Sequence, residues 1–406
     1  MKFERAHRLS RRASLRAITG LAALPVLTRV SSLGATEKVA STPARTIYVG
    51  PGGDIQTLAE AARHAKDGDT LLVASADYRA DVAVWTQRDL VIRGVGARPR
   101  LIADGASAES KGIFVVRGDG VRIENLAFLG ARVRDRNGAG IRLEKGSLRL
   151  SGCHFEDNEN GILTSNGDAI QLAIDRCSFV ANGAGDGQSH NLYVGAIGQL
   201  TVGSSYFARA HIGHLFKSRA RESVVEYCRL TGEDGACSYE LEFPNGGVVR
   251  VLGCLIQQGP RTENETVVSY GAEGYRWPNN ELQLTFNTLV NDAGQHATFV
   301  RVAAGSVRGE IADNLLVGVG GLDVKATSVS VSNIEARVDN FANAARFDYH
   351  LRLGSRHVGA AGKVDQVTAG RSYPQREYVH PADSRSLGRS TNLTALSPGA
   401  FQGLVR

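Results

Sequence analysis

The sequence predicts an all-β fold in which short parallel strands stack into a solenoid. One observation is composition: 47 of the 406 residues are glycine, one is methionine, and aromatic residues make up 6%. Abundant glycine among short runs of valine, isoleucine and leucine is typical of chains with many strands and turns. The second observation is a repeat of one six-residue pattern with a period of about 27 residues. A repeat of short strands with such a period indicates a solenoid.

The repeat has an apolar residue, two variable residues, a small polar residue or cysteine, one variable residue and an apolar residue. It occurs as IENLAF (123–128), LSGCHF (150–155), IDRCSF (174–179), VGSSYF (202–207), VEYCRL (225–230), VLGCLI (251–256), LTFNTL (284–289) and IADNLL (311–316). The fourth positions are Leu126, Cys153, Cys177, Ser205, Cys228, Cys254, Asn287 and Asn314. Stacked coils pair strands about 4.8 Å apart, so equivalent residues form ladders along the axis. We therefore expect an interior ladder whose cysteines are reduced and behave as small apolar side chains. The pattern assigns no role to Cys237.

The ends of the chain depart from this repeat. Residues 1–35 resemble a twin-arginine signal peptide, with Arg11 and Arg12 followed by the apolar run 17–27, which is too short to span a bilayer. This resemblance implies export to the periplasm or the medium, with no membrane attachment after cleavage. A cytoplasmic protein with a chance basic leader is the alternative. The solenoid is predicted over 45–325, and the last coils with a C-terminal capping tail over 326–406, where the ladder pattern is lost.

The net charge gives no argument for a nucleic acid or an anionic polymer. Residues 1–35 carry seven basic residues and one acidic residue, which account for the whole formal charge of +6. The remainder is formally neutral, so any binding of an anion depends on local clusters. The sequence lacks basic patches interleaved with aromatic residues, CxxC or HExxH zinc motifs and a phosphate-binding GxxxxGK loop.

The chain resembles the right-handed parallel β-helix of the pectate-lyase-like superfamily over most of its length. The segment 55–82 resembles the start of that fold, since Ile55, Leu58, Ala62 and Ala65 recur at helical spacing. The resemblance implies a helix that caps the open apolar end of the solenoid. The segments 347–362 and 397–402 resemble its closing parts. Because lyases, hydrolases, epimerases and adhesins share this fold, it does not name a reaction.

A second set of strands, one in each coil, is predicted to form a sheet with a polar middle. Its polar residues are His190, Asn191, Tyr193, His214, Lys217, Tyr239, Glu240, Glu242 and Tyr270. Alternate residues of a strand face outward, and a charged lysine is costly in a narrow core. We therefore expect Lys217 and Arg219 to face outward together with Leu215. The alternative register turns His214 outward.

Lys217-Ser218 is similar to the lysine motif of the alginate-lyase and chondroitinase-B type polysaccharide lyases. This similarity implies that Lys217 removes the proton beside a uronate carboxylate, with an arginine one coil later and calcium-binding acidic residues nearby. Here the next coil has Tyr239 and Glu240 where an arginine–histidine pair is expected.

The residue types nevertheless suit β-elimination, which needs a base, a cation for the developing enolate and a proton donor. Lys217 or His214 is the predicted base. Tyr193 or Tyr239 is the predicted donor, and Arg219 or Arg261 the predicted partner of the carboxylate.

Other predicted positions concern metal and substrate. Glu240 and Glu242 share a face if the strand alternates regularly, and they are the candidate calcium ligands; a solvated acidic pair is the alternative. The 33-residue step from Cys254 to Asn287 contains an additional loop, expected at the edge of the same groove. The predicted substrate-binding residues are His190, Asn191, Arg261, Tyr270, Arg276 and Trp277. Trp277 is expected either to stack on a sugar or to pack under its own loop.

The sequence thus predicts an exported protein that acts on an acidic polysaccharide, as a lyase of a uronate-containing glycan. A non-catalytic carbohydrate-binding or envelope-structural solenoid is one alternative. A uronate epimerase is another, since it begins with the same proton abstraction.

Overall fold

Each coil of the chain contributes up to three short strands, which pair in parallel with the equivalent strands of the neighbouring coils. The computed structural model describes residues 44–362, 372–388 and 396–403. The segment predicted as a signal peptide lies outside these ranges. Within them the architecture is a parallel β-helix, which confirms the predicted fold class. No helix among the described residues is long and apolar enough to cross a membrane.

The solenoid has three parallel sheets. Sheet 1 consists of Thr46–Val49, Thr70–Val73, Val91–Gly94, Val121–Glu124, Ser147–Ser151, Gly167–Asp175, Ile197–Gly203, Glu222–Glu226, Val248–Leu252, Glu281–Thr285, Arg308–Val317 and Ser328–Ala336. Sheet 2 consists of Asp77–Arg79, Arg100–Ile102, Ala127–Leu129, His154–Glu156, Ser178–Val180, Tyr206–Ala208, Arg229–Thr231, Leu255–Gln258 and Thr288–Asn291, and is continued by the last residues of Arg308–Val317 and Ser328–Ala336. Sheet 3 consists of Ala83–Trp85, Gly112–Val116, Ala139–Leu143, Asn160–Thr164, Leu192–Val194, Lys217–Ser218, Leu241–Phe243, Thr266–Tyr270, Ala297–Val302 and Gly320–Val324.

The bend from sheet 1 to sheet 2 recurs with the same backbone geometry in successive coils. The residue directly before each ladder position is left-handed, for example Arg176 (φ 49°) and Phe286 (φ 55°). The ladder side chain then accepts a hydrogen bond from the backbone N–H of the preceding coil. These bonds join Cys153 N to Cys177 Sγ (3.4 Å), Cys177 N to Ser205 Oγ (3.1 Å), Cys228 N to Cys254 Sγ (3.4 Å), Cys254 N to Asn287 Oδ1 (2.9 Å) and Asn287 N to Asn314 Oδ1 (2.8 Å). The predicted ladder is confirmed, and all five cysteines are buried free thiols.

The sixth position of the repeat forms an apolar stack inside the solenoid. Phe128, Phe155, Phe179 and Phe207 are fully buried. Their rings lie nearly parallel, with successive centroids 5.0, 4.6 and 4.7 Å apart. Burial of one such side chain contributes about 1.5–3 kcal/mol, so the stack ties neighbouring coils together.

A short helix, Leu58–His64, precedes the second coil. Asp81 accepts hydrogen bonds from the backbone N–H groups of Leu58 (2.6 Å) and Ala59 (2.8 Å) at its start. Leu58 and Ala61 are fully buried and belong to the same core as the first strands. The predicted N-terminal helix is therefore present and turns its apolar face to the solenoid.

The C-terminal part packs beside the solenoid. Two antiparallel pairs follow the last coil, Phe341–Asn343 with Asp348–Leu351 and Arg376–Val379 with Asp383–Ser386; two 3₁₀ turns, Val338–Asn340 and Ala344–Arg346, precede the strands of the first pair. Buried tail residues such as Phe341 and Tyr378 form one apolar cluster with Leu255 and Val290 of sheet 2. The last strand of sheet 1, Ser328–Ala336, is largely exposed. The tail residues of this cluster thus lie against the outer face of sheet 2, and Leu396 packs with Leu252 and Phe286 near the bend between sheets 1 and 2. These positions differ from the expected one over the C-terminal end.

Candidate active site

The turn that precedes sheet 3 interrupts the alternation of side chains. In each of three successive coils, two adjacent residues are completely buried: Asn191 and Leu192, Leu215 and Phe216, Glu240 and Leu241. The residues that flank the middle pair, His214 and Lys217, meet on the outer face with their Nε2 and Nζ atoms 3.5 Å apart. The predicted outward orientation of Lys217 and Arg219 is therefore confirmed. The accompanying expectation for Leu215 is wrong, because the turn directs it inward.

Three side chains from two adjacent coils form the centre of the site, which we call the Lys217 cluster (His214, Lys217 and Glu242). Glu242 Oε2 lies 2.9 Å from Lys217 Nζ and 3.1 Å from His214 Nε2. All three side chains are at least 89% shielded from solvent. Lys217 and Glu242 are direct cross-strand partners, which explains why the two charges meet.

The surroundings of His214 and Glu242 determine the pKa of each side chain and leave the two in different charge states. Burial lowers the pKa of His214 below its ordinary value, although Glu242 acts in the opposite direction. Burial alone would raise the pKa of Glu242, but the contact with His214 and the charges of His214 and Lys217 outweigh it and lower that pKa. At neutral pH the cluster therefore holds a neutral imidazole beside an ionised carboxylate.

Arg219 extends the site toward the loop between sheets 3 and 1. Its Nη1 and Nη2 atoms lie 2.9 and 3.0 Å from the two carboxylate oxygens of Glu273. Glu273 Oε1 is also 3.4 Å from Lys217 Nζ, so one carboxylate bridges both cations. Trp277 donates its indole N–H to the carbonyl oxygen of Arg219 (3.2 Å). Trp277 is only 9% exposed, so it packs under its loop and positions Arg219, which agrees with the second of its two predicted roles.

Aromatic rings surround the cations. The ring of Tyr193 lies 5.6 Å from the Arg219 guanidinium and 6.0 Å from Lys217 Nζ. Tyr239 approaches the His214 ring edge-on, with centroids 5.0 Å apart. His190 stacks on the other face of His214 at 4.3 Å, and its Nδ1 accepts the backbone N–H of His214 (3.0 Å). Burial lowers the pKa of His190 well below its ordinary value, and nearby positive charges act in the same direction.

A cleft of about 550 Å³ runs along the solenoid beside the Lys217 cluster. Tyr193, Arg219 and Glu273 belong to both the site and the cleft wall. Arg276 lines the cleft as predicted, with its guanidinium 5.5 Å from the Trp277 ring. The cleft therefore presents arginine side chains and a tyrosine to a ligand lying along the axis.

Several predicted site residues lie elsewhere. Asn191 is an interior rung: its Oδ1 accepts Asn182 N–H (3.0 Å), and its Nδ2 donates to the carbonyl oxygen of Ala208 (2.9 Å). Tyr270 is fully buried and donates its hydroxyl to the carbonyl oxygen of Gly247 (2.6 Å). Neither of the two is accessible to a substrate, because both side chains point into the solenoid.

Arg261 is exposed on a different turn. Its Nη2 lies 3.5 Å from Asp234 Oδ2, and Arg261 is not among the residues that line the cleft. The loop geometry of the longest coil therefore separates it from Arg219.

Glu240 and Glu242 point to opposite sides of sheet 3. Glu240 is fully buried in the solenoid, and neither of its carboxyl oxygens has a hydrogen-bond partner among the described residues. Burial raises its pKa well above the ordinary value, so this carboxyl is neutral. Glu242 contacts Lys217 and His214 on the outer face. The pair does not fit the calcium site that the resemblance implies, and no group of three or more His, Cys, Asp or Glu side chains in the described ranges is arranged to hold a metal ion.

Two charged cleft residues were missing from the sequence prediction. Glu273 belongs to the loop of the longest coil, whose length indicated a groove edge but not which side chain would reach Lys217. Arg142 lies in an earlier strand of sheet 3, in the segment AGIRLE (139–144), which the sequence alone gave no reason to distinguish.

Comparison with known proteins supports the fold. No protein-family description and no curated protein matches the chain. Among solved structures, it is similar to pectate lyase Pel9A, with a TM-score of 0.56, 12% identity, and coverage of 89% of this chain and 97% of that one. The match to a lacto-N-biosidase from Eubacterium ramulus has a TM-score of 0.40 and 12% identity, and covers 72% of this chain and 68% of that one. The match to the alginate lyase AlyGC has a TM-score of 0.26 and 14% identity, and covers 68% of this chain and 52% of that one. The chain thus has the right-handed parallel β-helix fold of pectate lyases.

Proposed function

We propose that this protein is an exported polysaccharide lyase that cleaves a uronate-containing glycan by β-elimination on the outer face of sheet 3. The observation that carries the proposal is the contact of Lys217 with neutral His214 and ionised Glu242, directly beside Arg219. Elimination requires a base, a cation near the developing enolate and a proton donor within one site. The similarity of the fold to a pectate lyase supports an acidic polysaccharide as the substrate.

The cluster can supply the base. A lysine acts as a base only as a neutral amine, so Lys217 first releases a proton to water. Neutral His214 lies 3.5 Å from Lys217 Nζ and can accept a hydrogen bond that orients the amine at the groove. Glu242, 2.9 Å from Nζ, stabilises the ammonium that forms when the amine takes a proton from the substrate.

Arg219 can hold the substrate carboxylate. Glu273 already binds Arg219 through both oxygens and touches Lys217, which is the arrangement that a uronate carboxylate needs. Glu273 is 46% exposed on its loop, so a substrate carboxylate can replace it at little cost in buried contacts. A bidentate arginine would then stabilise the enolate that forms as the proton leaves.

The bond changes balance within this site. Lys217 takes the proton from C5, a double bond forms between C4 and C5, and the bond from C4 to the glycosidic oxygen breaks. The oxygen receives a proton from Tyr193, whose ring lies next to both cations, or from Tyr239 on the far side of His214. The tyrosine regains a proton from water, and Lys217 releases its own.

Hydrolysis fits the same residues less well. A glycoside hydrolase needs one carboxylic acid that carries a proton at the working pH. Glu242 has a lowered pKa and contacts Lys217 and His214, so it is a poor proton donor. The geometry therefore favours elimination.

Ultraviolet absorbance tests the proposal, because elimination leaves an unsaturated uronate. The mature protein is incubated with polygalacturonate, alginate, hyaluronan and chondroitin, each with and without calcium. A rise on at least one polymer that is lost in Lys217→Ala and retained in Arg301→Gln supports the lyase. Hydrogen exchange at C5 without chain cleavage would identify an epimerase, and binding without either reaction would identify a carbohydrate-binding solenoid.

A further inference from the structure

Arg142 lies on the same outward column as Lys217, three strands away. The column pairs Arg142 with Leu163, Leu163 with Tyr193, and Tyr193 with Lys217. Neighbouring strands are about 4.8 Å apart, which places the two Cα atoms about 14 Å apart along the axis. Arg142 and Tyr193 both line the cleft beside the Lys217 cluster.

Part of the Arg142 guanidinium is buried without a partner among the described residues. Its Nε and Nη1 atoms are buried, and no hydrogen bond or ion pair reaches them from any described residue. Burial of a charged group without a partner is costly, and native proteins normally pair it. Arg301, three strands from Lys217 in the opposite direction, has such a partner: its Nε lies 3.4 Å from Asp323.

The charge of the cleft indicates what the missing partner is. Arg142, Arg219 and Arg276 line it, and Glu273 is the one acidic residue on its wall within the part of the chain that the structure describes. Glu273 is engaged with Arg219 and Lys217, which leaves the positive charges of Arg142 and Arg276 uncompensated within the cleft. A planar guanidinium pairs most strongly with carboxylate or sulfate oxygens.

We propose that Arg142, with Arg276 at the cleft rim, forms a second anion subsite that holds a carboxylate or sulfate of the same glycan several sugar units from Lys217. The nature of the ligand rests on the proposed function. It follows that the protein favours chains long enough to span from Lys217 to Arg142, with an acidic group at both places.

Binding of size-graded acidic oligosaccharides tests this subsite. Titration calorimetry is done with the full mature chain carrying Lys217→Ala, so that no turnover disturbs the measurement. The probes are oligogalacturonates and oligoalginates of increasing length and a sulfated dextran, which separate carboxylate from sulfate. A charged hydrogen-bonded pair corresponds to about a 10- to 150-fold change in affinity.

We expect Arg142→Gln to weaken binding of long oligomers by at least about tenfold, and to leave binding of oligomers too short to reach it unchanged. Arg142→Lys should recover part of the loss, and Arg301→Gln is the matched control on the same column. Equal binding of long oligomers by Arg142→Gln and its parent would overturn the subsite, while the ultraviolet product of the unmodified protein would still support the lyase. Failure of the parent to bind any acidic oligosaccharide would also overturn it, and the absence of an unsaturated product besides would overturn both proposals.

Misfolding is checked by urea unfolding of each variant. Since Nε and Nη1 of Arg142 are buried without a partner among the described residues, Arg142→Met should unfold at a urea concentration equal to or higher than its parent does. A large destabilisation would show that the guanidinium has a structural partner and would contradict the subsite.

Discussion

Lys217 and Glu242 face each other across neighbouring strands of sheet 3, with Nζ and Oε2 2.9 Å apart. The contact is almost completely shielded from water, which distinguishes it from surface ion pairs of small energetic effect. In the proposed mechanism Glu242 stabilises the ammonium that Lys217 becomes when it accepts the C5 proton.

Replacement of Glu242 by glutamine should therefore impair the chemical step. Glu242→Gln keeps the size of the side chain but removes its negative charge, so the ammonium that Lys217 becomes on taking the C5 proton loses its counter-ion. We expect kcat for elimination to fall by about 10²–10⁴-fold, the range of acid–base contributions. Steady-state kinetics on the cleaved polymer measure this. Glu281→Gln, which alters an exposed pair with Arg308 on sheet 1, is the control and should leave kcat unchanged.

Removal of the Glu273 side chain should have the opposite effect on binding. Glu273 occupies the cations that we assign to the substrate carboxylate, so Glu273→Ala frees them. We expect KM for the uronate polymer to fall several-fold, since no glutamate has to be displaced. A loss of all turnover with unchanged KM would instead identify Glu273 as a catalytic residue and contradict its assignment as a displaceable carboxylate.

The buried histidines predict how stability depends on pH. The folded-state pKa values of His190 and His214 are lowered, mainly by burial, so the unfolded chain binds protons first as the pH falls. Stability is then complete above the unfolded pKa of about 6.5 and decreases below it, by up to about 1.4 kcal/mol per pH unit for each histidine. The side-chain oxygen of asparagine can replace His190 Nδ1 as the acceptor of the His214 N–H. His190→Asn should therefore show a smaller decrease in stability between about pH 6.5 and 5.

Urea unfolding of the parent and of His190→Asn at several pH values measures this difference. Both proteins contain His350, whose raised pKa stabilises the fold toward lower pH. Its contribution therefore cancels when the two stability curves are compared. Parallel curves for the two proteins would show that His190 does not titrate as its burial requires.

The interior ladder predicts a localised stability loss. Asn287 accepts the backbone N–H of Cys254 and donates its Nδ2 to the carbonyl oxygens of Val251 and Thr285 (both 3.0 Å). Asn287→Ala leaves these buried groups without partners, and each costs about 1–3 kcal/mol. The exposed residue Asn137 provides the control, and Asn137→Ala should change the free energy of unfolding by less than about 0.5 kcal/mol. Similar values for the two variants in chemical denaturation would contradict the structural role of the ladder.

The solenoid was predictable from the sequence, because the bend in each coil requires a small or amide side chain at the fourth position of the repeat, and this requirement is visible in the sequence. Cys228 and Asn287 must be small or amide-bearing to fit the bend and to bond the preceding coil. The outward orientation of Lys217 was predictable from the cost of burying its charge. Asn191 and Glu240 were misplaced because regular alternation was assumed across a turn that directs two consecutive residues inward.

The remaining site residues depend on contacts that no local pattern encodes. Glu273 reaches Lys217 from a loop 56 residues further along the chain. Arg142 is distinguished by buried, unpartnered guanidinium nitrogens beside the cleft, whereas Arg301 on the same column is paired with Asp323. Sequence patterns predict the strand position of such a residue. Its charge partner depends on how the loops pack around the sheet, which no local pattern encodes.

Proton exchange at C5 tests the central claim most directly. The mature protein and a uronate polymer that it binds are mixed in heavy water, and the C5 proton is followed by NMR together with chain length. Elimination by the Lys217 cluster predicts loss of the C5 proton signal, a new vinyl proton signal at C4 and shorter chains, with none of these changes in Lys217→Ala. A C5 proton signal that persists while the polymer is bound, or while it is cut to saturated products, would contradict β-elimination at this site.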